Sequence, residues 1–527
     1  MLSKNLKNKV MAAAICTVMA TGMVSGSTAV FAEDVSVQRE TINVGIEADP
    51  ADLSPFGPGT TGRTAVMDAI YETLGYIGND GEFVGVLAKD YELAEDESTL
   101  TFHLYDYIKD TAGNPITASD VVFSYNSKAE TGNLFNIAFI KDVEAVDDYT
   151  VQFNLNPPLN VTNIANLVNN LYIVSEKSYN ESADGMVTGG VVSTAHYLVK
   201  DYEGGYLLTL EKNEDYWQTE ELTAPRSKAN VETINYYVLT ESNQRTMALE
   251  SKTIDMCWSV ANADLTKFED GGEQAEDYWV YDYADNLSSV LIFNAAEDHL
   301  TSNVSLRKAI GYAMDNEMIA QGIYNGHGTA NYDFARTDTV GVNESWKEQD
   351  DFYQYDIDKA TELVKEAGYN GEALTLLTNT DQKAVDMAAL IQGFAAQAGI
   401  TIEIDSVDSA NVNTYFADAS QWDIYLTSSA AEIYCVQPWV RHLDNRSSGS
   451  TTGFLVDDEL QSLLEAASNL STSNQDTIDA CHDYIVDNAI IYGIGNPSLS
   501  FVVPEDCSEI VLGYKIEILP GACTYTE

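Results

Sequence analysis

Apolar residues two apart mark the first clear element of the chain. Ile42, Val44 and Ile46 alternate with Asn43 and Gly45, the period of a half-buried strand. This strand ends at Glu47-Ala48-Asp49-Pro50, and a loop rich in Pro and Gly runs on to Gly62. The same alternation predicts strands at Leu100-Phe102-Leu104 and Val151-Phe153-Leu155, the second stopped by Pro157-Pro158. Between them, Tyr107 to Asn126 (YIKDTAGNPITASDVVFSYN) reads as a strand end, a turn punctuated by Gly113 and Pro115, and a helix that Thr117 or Ser119 can cap. Asp120 then falls in the first turn, where the macrodipole favours a carboxylate. This stretch predicts a small α+β subdomain.

From Gly189 to Val260, strands at Tyr206 to Leu210 and Ile234 to Leu239 alternate with a helix beginning near Glu241, which points to a sheet covered by helices. A strand at Ser288 to Phe293 leads into a helix with Leu306, Ala309, Ile310, Ala313 and Met314 on one face, and this helix opens a second domain. Ile357, Ala360, Val364 and Ala367 line another helical stripe that stops at Gly368, the expected left-handed cap. The strand Leu374-Leu376-Leu377, a helix from Ala384 to Ala398 and the strand Ile400-Ile402-Ile404 follow. That β-α-β order demands a right-handed crossover and a mostly parallel sheet.

Length and charge narrow the class. A chain of 527 residues, 45% apolar, exceeds what one core accommodates, so two or three globular units are expected. The net charge of −55 excludes nucleic acid as a partner and suits an exported, highly soluble protein; its secondary effect would be to attract cationic ligands. Lys4, Lys7 and Lys9, an uncharged stretch from Val10 to Phe31 and Val30-Phe31-Ala32 before Glu33 read as a cleaved secretory signal over residues 1–32. Five cysteines remain after its removal. They are expected as buried free thiols, with Cys507 and Cys523 the one pair placed for a bridge.

Catalytic constellations are scarce. There is no GxSxG elbow, HExxH, Walker lysine loop or GxGxxG after a strand, and the six histidines lack metal-ligand spacing. Paired carboxylates carry no weight among 82 acids. The expectation is a binding protein, not an enzyme, with no cofactor and no metal.

Seven segments, in order, resemble the extracellular solute-binding proteins of family 5, the oligopeptide and dipeptide receptors of ABC importers. The 107–126 run is similar to the family's "dG.p.tA.DV.fs", and TINVGIEADPADLSP (41–55) to its opening strand and "ldP" turn. Val86 to Asp90 with Thr99 to Leu104 and VEAVDDYTVQFNLNP (143–157) resemble the next two motifs. LEKNEDYW (210–217), SLRKAIGYAMDNEMI (305–319) and YDIDKATELVKEAGY (355–369) complete the series. One departure is Ser193-Thr194-Ala195-His196-Tyr197, where the family has "GTGPY".

The resemblance implies an α/β, two-lobed periplasmic-binding-protein-like fold of type II with an inserted α+β subdomain. Lobe I would comprise 41–63, 190–292 and 498–527, the insertion 64–189, and lobe II 293–497. Ligand would bind between the lobes and favour the closed form. The closed protein, a monomer at the cell surface or in a periplasm, would deliver a peptide to membrane permease subunits. The same fold taking an oligosaccharide or a metal chelate, or a secreted hydrolase, are the alternatives. Peptide receptors of the family pair an aspartate with the peptide ammonium, and Glu432 stands as its candidate replacement. Tyr434, Trp439 and Trp258 are candidates for packing on ligand side chains. Ser288, Ser289 and Val290 would offer backbone groups to an extended peptide, as in β-augmentation.

Overall fold

The computed structural model describes residues 37–526 except 133–136, 220–221, 333, 335, 349–353, 432 and 445–456. A single twelve-stranded mixed sheet runs through the molecule, and its two ends form the two lobes. Its order is Ile402–Val407, Leu374–Asn379, Ile424–Ala430, Leu287–Phe293, Ile491–Pro504, Met256–Trp258, Arg39–Ile46, Val231–Val238, Leu207–Lys212 and Tyr197–Glu203. Tyr278–Ala284 and Gly328–Ala330 pair off this path with the long strand Ile491–Pro504.

That strand belongs to both lobes. Its first half pairs with Leu287–Phe293 (Ile292 with Ile491, Ser289 with Gly495), and its second half with Tyr278–Ala284 (Ala284 with Ser498, Tyr278 with Pro504). The chain therefore passes from lobe I to lobe II at residues 285–286 and returns within this strand between Pro497 and Ser498. Leu287–Phe293 pairs with Ile424–Ala430 on one side and with the first half of the shared strand on the other. The strand is buried at every residue after Leu287, so no alternation marks which sheet it serves.

Each lobe has its own core. Lobe I packs Ile42, Val44, Leu210, Tyr236 and Phe501 under its sheet. Lobe II packs Leu306, Ile310, Leu376, Ile391 and Tyr492. Parallel pairing of Leu374 with Ile402 and of Leu376 with Ile424 gives the expected parallel β-α-β unit, with helix Gln382–Gln397 as the crossover. Gly368 closes helix Ile357–Glu366 at φ +67°.

The inserted subdomain is a four-stranded antiparallel sheet in the order Ala88–Leu93, Thr99–Leu104, Thr150–Leu155, Ile140–Asp147. Strict alternation of buried and half-buried residues in Thr99–Leu104 and Thr150–Leu155 turns Phe102 and Phe153 toward helix Ala118–Glu130. At the helix start the Asp120 carboxylate accepts from Thr117 N and Oγ1, both 2.8 Å, and from Glu176 N at 2.9 Å. The subdomain also touches lobe II: Leu470 N donates to Leu159 O at 2.7 Å, and Val161 N to Ser468 O at 2.9 Å. Among the described residues no helix is long and apolar enough to cross a membrane.

Candidate functional site

A cavity of about 960 Å³ lies between the lobes at the carboxyl ends of their strands. Arg39–Ile46 runs parallel to both Val231–Val238 and Met256–Trp258, so these three strands end on one side of lobe I. In open α/β sheets that is the side on which ligand crevices form. Glu47 follows the first of them, Ser242 begins the helix after the second, and Trp258 to Val260 end the third. Ser498 to Phe501 and Lys515 to Glu517 add the floor, while Asn325 and Lys383 reach in from lobe II.

The cavity wall is rigid for identifiable reasons. Arg245 donates to Leu239 O (2.7 Å), Thr240 O (3.0 Å) and, through Nε and Nη2, to Ser259 O (3.1 and 2.6 Å), so four of its five donors fasten the loops around it. Arg63, 4% exposed, holds the 50–57 loop through the carbonyls of Asp52 and Ser54. Asp49 accepts from Ala51 N at 2.7 Å, Tyr202 OH at 2.5 Å and Gly205 N. Gly62 lies against this loop so closely that a Cβ there would stand 2.4 Å from the Asp49 carbonyl. Gly62→Ala is expected to cost about 1–3 kcal/mol in denaturant unfolding, because backbone and not a flexible side chain must yield.

Three charged cavity residues are, by contrast, uncommitted. Glu47 from lobe I, Lys383 from lobe II and Lys515 from the C-terminal segment make no side-chain ion pair or hydrogen bond among the described residues. An unpaired carboxylate and unpaired ammoniums in one crevice suit a ligand that carries both signs of charge. Chain geometry could have exposed two of them: Glu47 and Lys383 each follow the carboxyl end of a parallel strand. Lys515 lies in an irregular segment that no periodicity marks.

The residues singled out from sequence separate. Trp258 is in the cavity wall, half-buried. Tyr434 is half-buried and packs against the cores of both lobe II and the inserted subdomain. Trp439 is 1% exposed inside lobe II, with Phe334, Trp346 and His482 around it, so its ring has no face left for a ligand. Ser288, Ser289 and Val290 lie on a strand that pairs with Ile424–Ala430 on one side and, from Ser289 onward, with Ile491–Pro504 on the other. The side chains are engaged as well: Asn496 Nδ2 donates to Ser288 Oγ at 2.7 Å and Tyr324 OH to Ser289 Oγ at 2.9 Å. Glu432 lies outside the described residues.

The five cysteines from Cys257 onward are free and buried. No cluster of three or more His, Cys, Asp or Glu able to hold a metal ion occurs among the described residues.

Comparison with known proteins agrees with this architecture. The dipeptide-binding protein of Escherichia coli K12 is 23% identical over 406 residues, 70% of this chain and 72% of that protein. HbpA2 from Haemophilus parasuis superposes with a TM-score of 0.81 at 18% identity, covering 93% of this chain and 100% of that one. A dipeptide-binding protein from Pseudoalteromonas sp. SM9913, solved in complex with Met-Leu, gives 0.66 at 21% identity over 93% of this chain and 100% of its own. The family model for bacterial extracellular solute-binding proteins, family 5 Middle, matches residues 82–445, most of the described chain, and the protein belongs to that family.

Proposed function

We propose that the protein is the substrate-binding receptor of an ABC importer, exported by its first 32 residues, and that it captures peptides between its lobes without altering them. One observation carries this reading: a two-lobed cavity of peptide size in which Glu47, Lys383 and Lys515 stand without side-chain partners among the described residues. A short peptide supplies the complement, an ammonium at one end and a carboxylate at the other. The named binding of dipeptides by relatives supports the same class.

Contact with both lobes is what makes capture a switch. A ligand shifts the open–closed equilibrium only by its differential affinity for the two forms, and moving from mostly open to mostly closed takes about 5.5 kcal/mol. The closed form is the one a membrane permease would recognise. Native mass spectrometry of the purified mature protein is expected to find peptides retained in it and released on unfolding; a retained sugar or chelate would overturn the peptide reading.

Two carboxylates compete for the peptide ammonium, Glu47 in the cavity wall and Glu432 from the sequence. Glutamine at the one that holds it should weaken peptide binding about tenfold or more, since a charge-assisted hydrogen bond is lost. The other substitution should leave the dissociation constant unchanged. Trp258→Ala is likewise expected to weaken binding, whereas Trp439→Phe, acting inside the core, should leave it within about twofold.

A further inference from the structure

Beside the main cleft, and sharing Ile516 with it, lies a second cavity of about 280 Å³. It is walled by both lobes: Arg226, in the short helix Pro225–Ser227, comes from lobe I, and Arg336 from lobe II. Each guanidinium lies over a tyrosine ring, Arg226 at 4.2 Å from the Tyr76 centroid and Arg336 at 5.5 Å from that of Tyr283. Asn79 of the inserted subdomain borders it too, donating to Tyr283 OH of lobe I at 3.1 Å.

Arg336 is paired with Asp338. Arg226 makes no ion pair and no hydrogen bond among the described residues. It stands so in a chain with 82 acidic residues and 27 basic ones, and unlike Arg245 and Arg307 it has no carbonyl partner among the described residues either. Contact with the Tyr76 ring at 4.2 Å occupies one side of the group and uses none of its N–H donors, which can receive a carboxylate in a two-pronged fashion. Glu517, whose carboxyl senses Arg226, does not fill the role: burial and the adjacent Asp68 push it well above the ordinary carboxylate range and favour its neutral form.

We propose that Arg226, with Arg336 in the same cavity wall, forms a subsite for a carboxylate-bearing side chain of the bound peptide, so that the receptor prefers acidic peptides; this rests on the peptide-receptor reading above. The cavity is large enough for an Asp or Glu side chain. Because the groups come from two lobes, an acidic side chain there would also add to the differential affinity for the closed form. The whole-protein field, at −55, works against anionic ligands, so a preference for them can arise only from such local groups.

The test is calorimetric titration of the mature protein with short alanine-based peptides in which each position in turn is Glu or Gln, with succinate alone as a further arm. At one position Glu is expected to bind about tenfold tighter than Gln. Arg226→Gln should abolish that preference while leaving affinity for the Gln peptide within about twofold, and Arg226→Lys should restore part of it. Equal binding of Glu and Gln peptides at every position, or a preference that survives Arg226→Gln, would overturn the subsite while the peptide reading stands. Succinate binding that depends on Arg226, without any peptide preference, would assign the cavity to free anions and overturn the side-chain role. Binding of no peptide at all would remove the broader reading and the subsite with it.

Discussion

Arg307→Met is expected to lower the unfolding free energy by about 3–5 kcal/mol, a large share of what holds a lobe together. Arg307 is 4% exposed on helix Val304–Ala313 and acts through its whole fork. Nε donates to Asn488 O (3.0 Å) and Ala489 O (3.1 Å), Nη1 to Thr301 O (2.6 Å) and Ser302 O (2.9 Å), and Nη2 to Asn488 O (2.6 Å). Two of these carbonyls, Asn488 O and Ala489 O, lie just past helix Gln475–Asp487, beyond the carbonyls its own last turn satisfies. The others precede the helix that carries the arginine. One side chain thus ties the entry to the first helix of lobe II to the entry of the strand shared by both lobes. Methionine fills similar space but takes away the donors of four carbonyls, two of them, Thr301 O and Ala489 O, buried. Lysine, a single point charge, cannot serve these directions together, so Arg307→Lys should recover little. Urea unfolding measures the effect, and a loss below about 1 kcal/mol would show that water replaces the fork.

A second large effect is set by pH. Glu72, 4% exposed, is raised from 4.5 to about 7, chiefly by burial and against the hydrogen bond from Tyr216. It also accepts from Trp217 Nε1 at 2.9 Å, so it anchors the Asn213-to-Trp217 motif of lobe I to the inserted subdomain. A carboxyl whose folded value exceeds its unfolded one holds more protons when folded. Its contribution is fully present below about pH 4.5 and is lost as pH rises through about 7, an amount of about 3 kcal/mol. Glu517 beside Asp68 acts in the same direction. Stability is therefore expected to fall between pH 4.5 and 7 in the native protein, and Glu72→Gln should flatten that slope. Parallel curves for the two proteins would contradict the assignment.

The sequence displayed the elements whose two faces differ. Thr99–Leu104 and Thr150–Leu155 alternate because one face meets a helix and the other water, and Gly368 ends its helix because φ +67° suits no other residue as well. It concealed the elements buried on both faces. Leu287–Phe293 and Ile491–Pro504 carry no period of two, so which lobe each served, and where the first crossing fell, followed only from the pairing. The site was hidden for another reason. Its residues lie on loops brought together by the sheet, and an aromatic such as Trp439 reads the same whether it faces a ligand or a core. Trp258 and Glu47 were legible in principle, since both close strands whose parallel order sends their ends to one crevice.

The central claim is that a peptide lies between the lobes at Glu47, Trp258 and Lys383. Diffraction from crystals grown with a tightly bound peptide tests it directly. The account predicts peptide density filling the cavity of about 960 Å³, in contact with both lobes. Peptide found elsewhere on the surface, or touching one lobe alone, would contradict it.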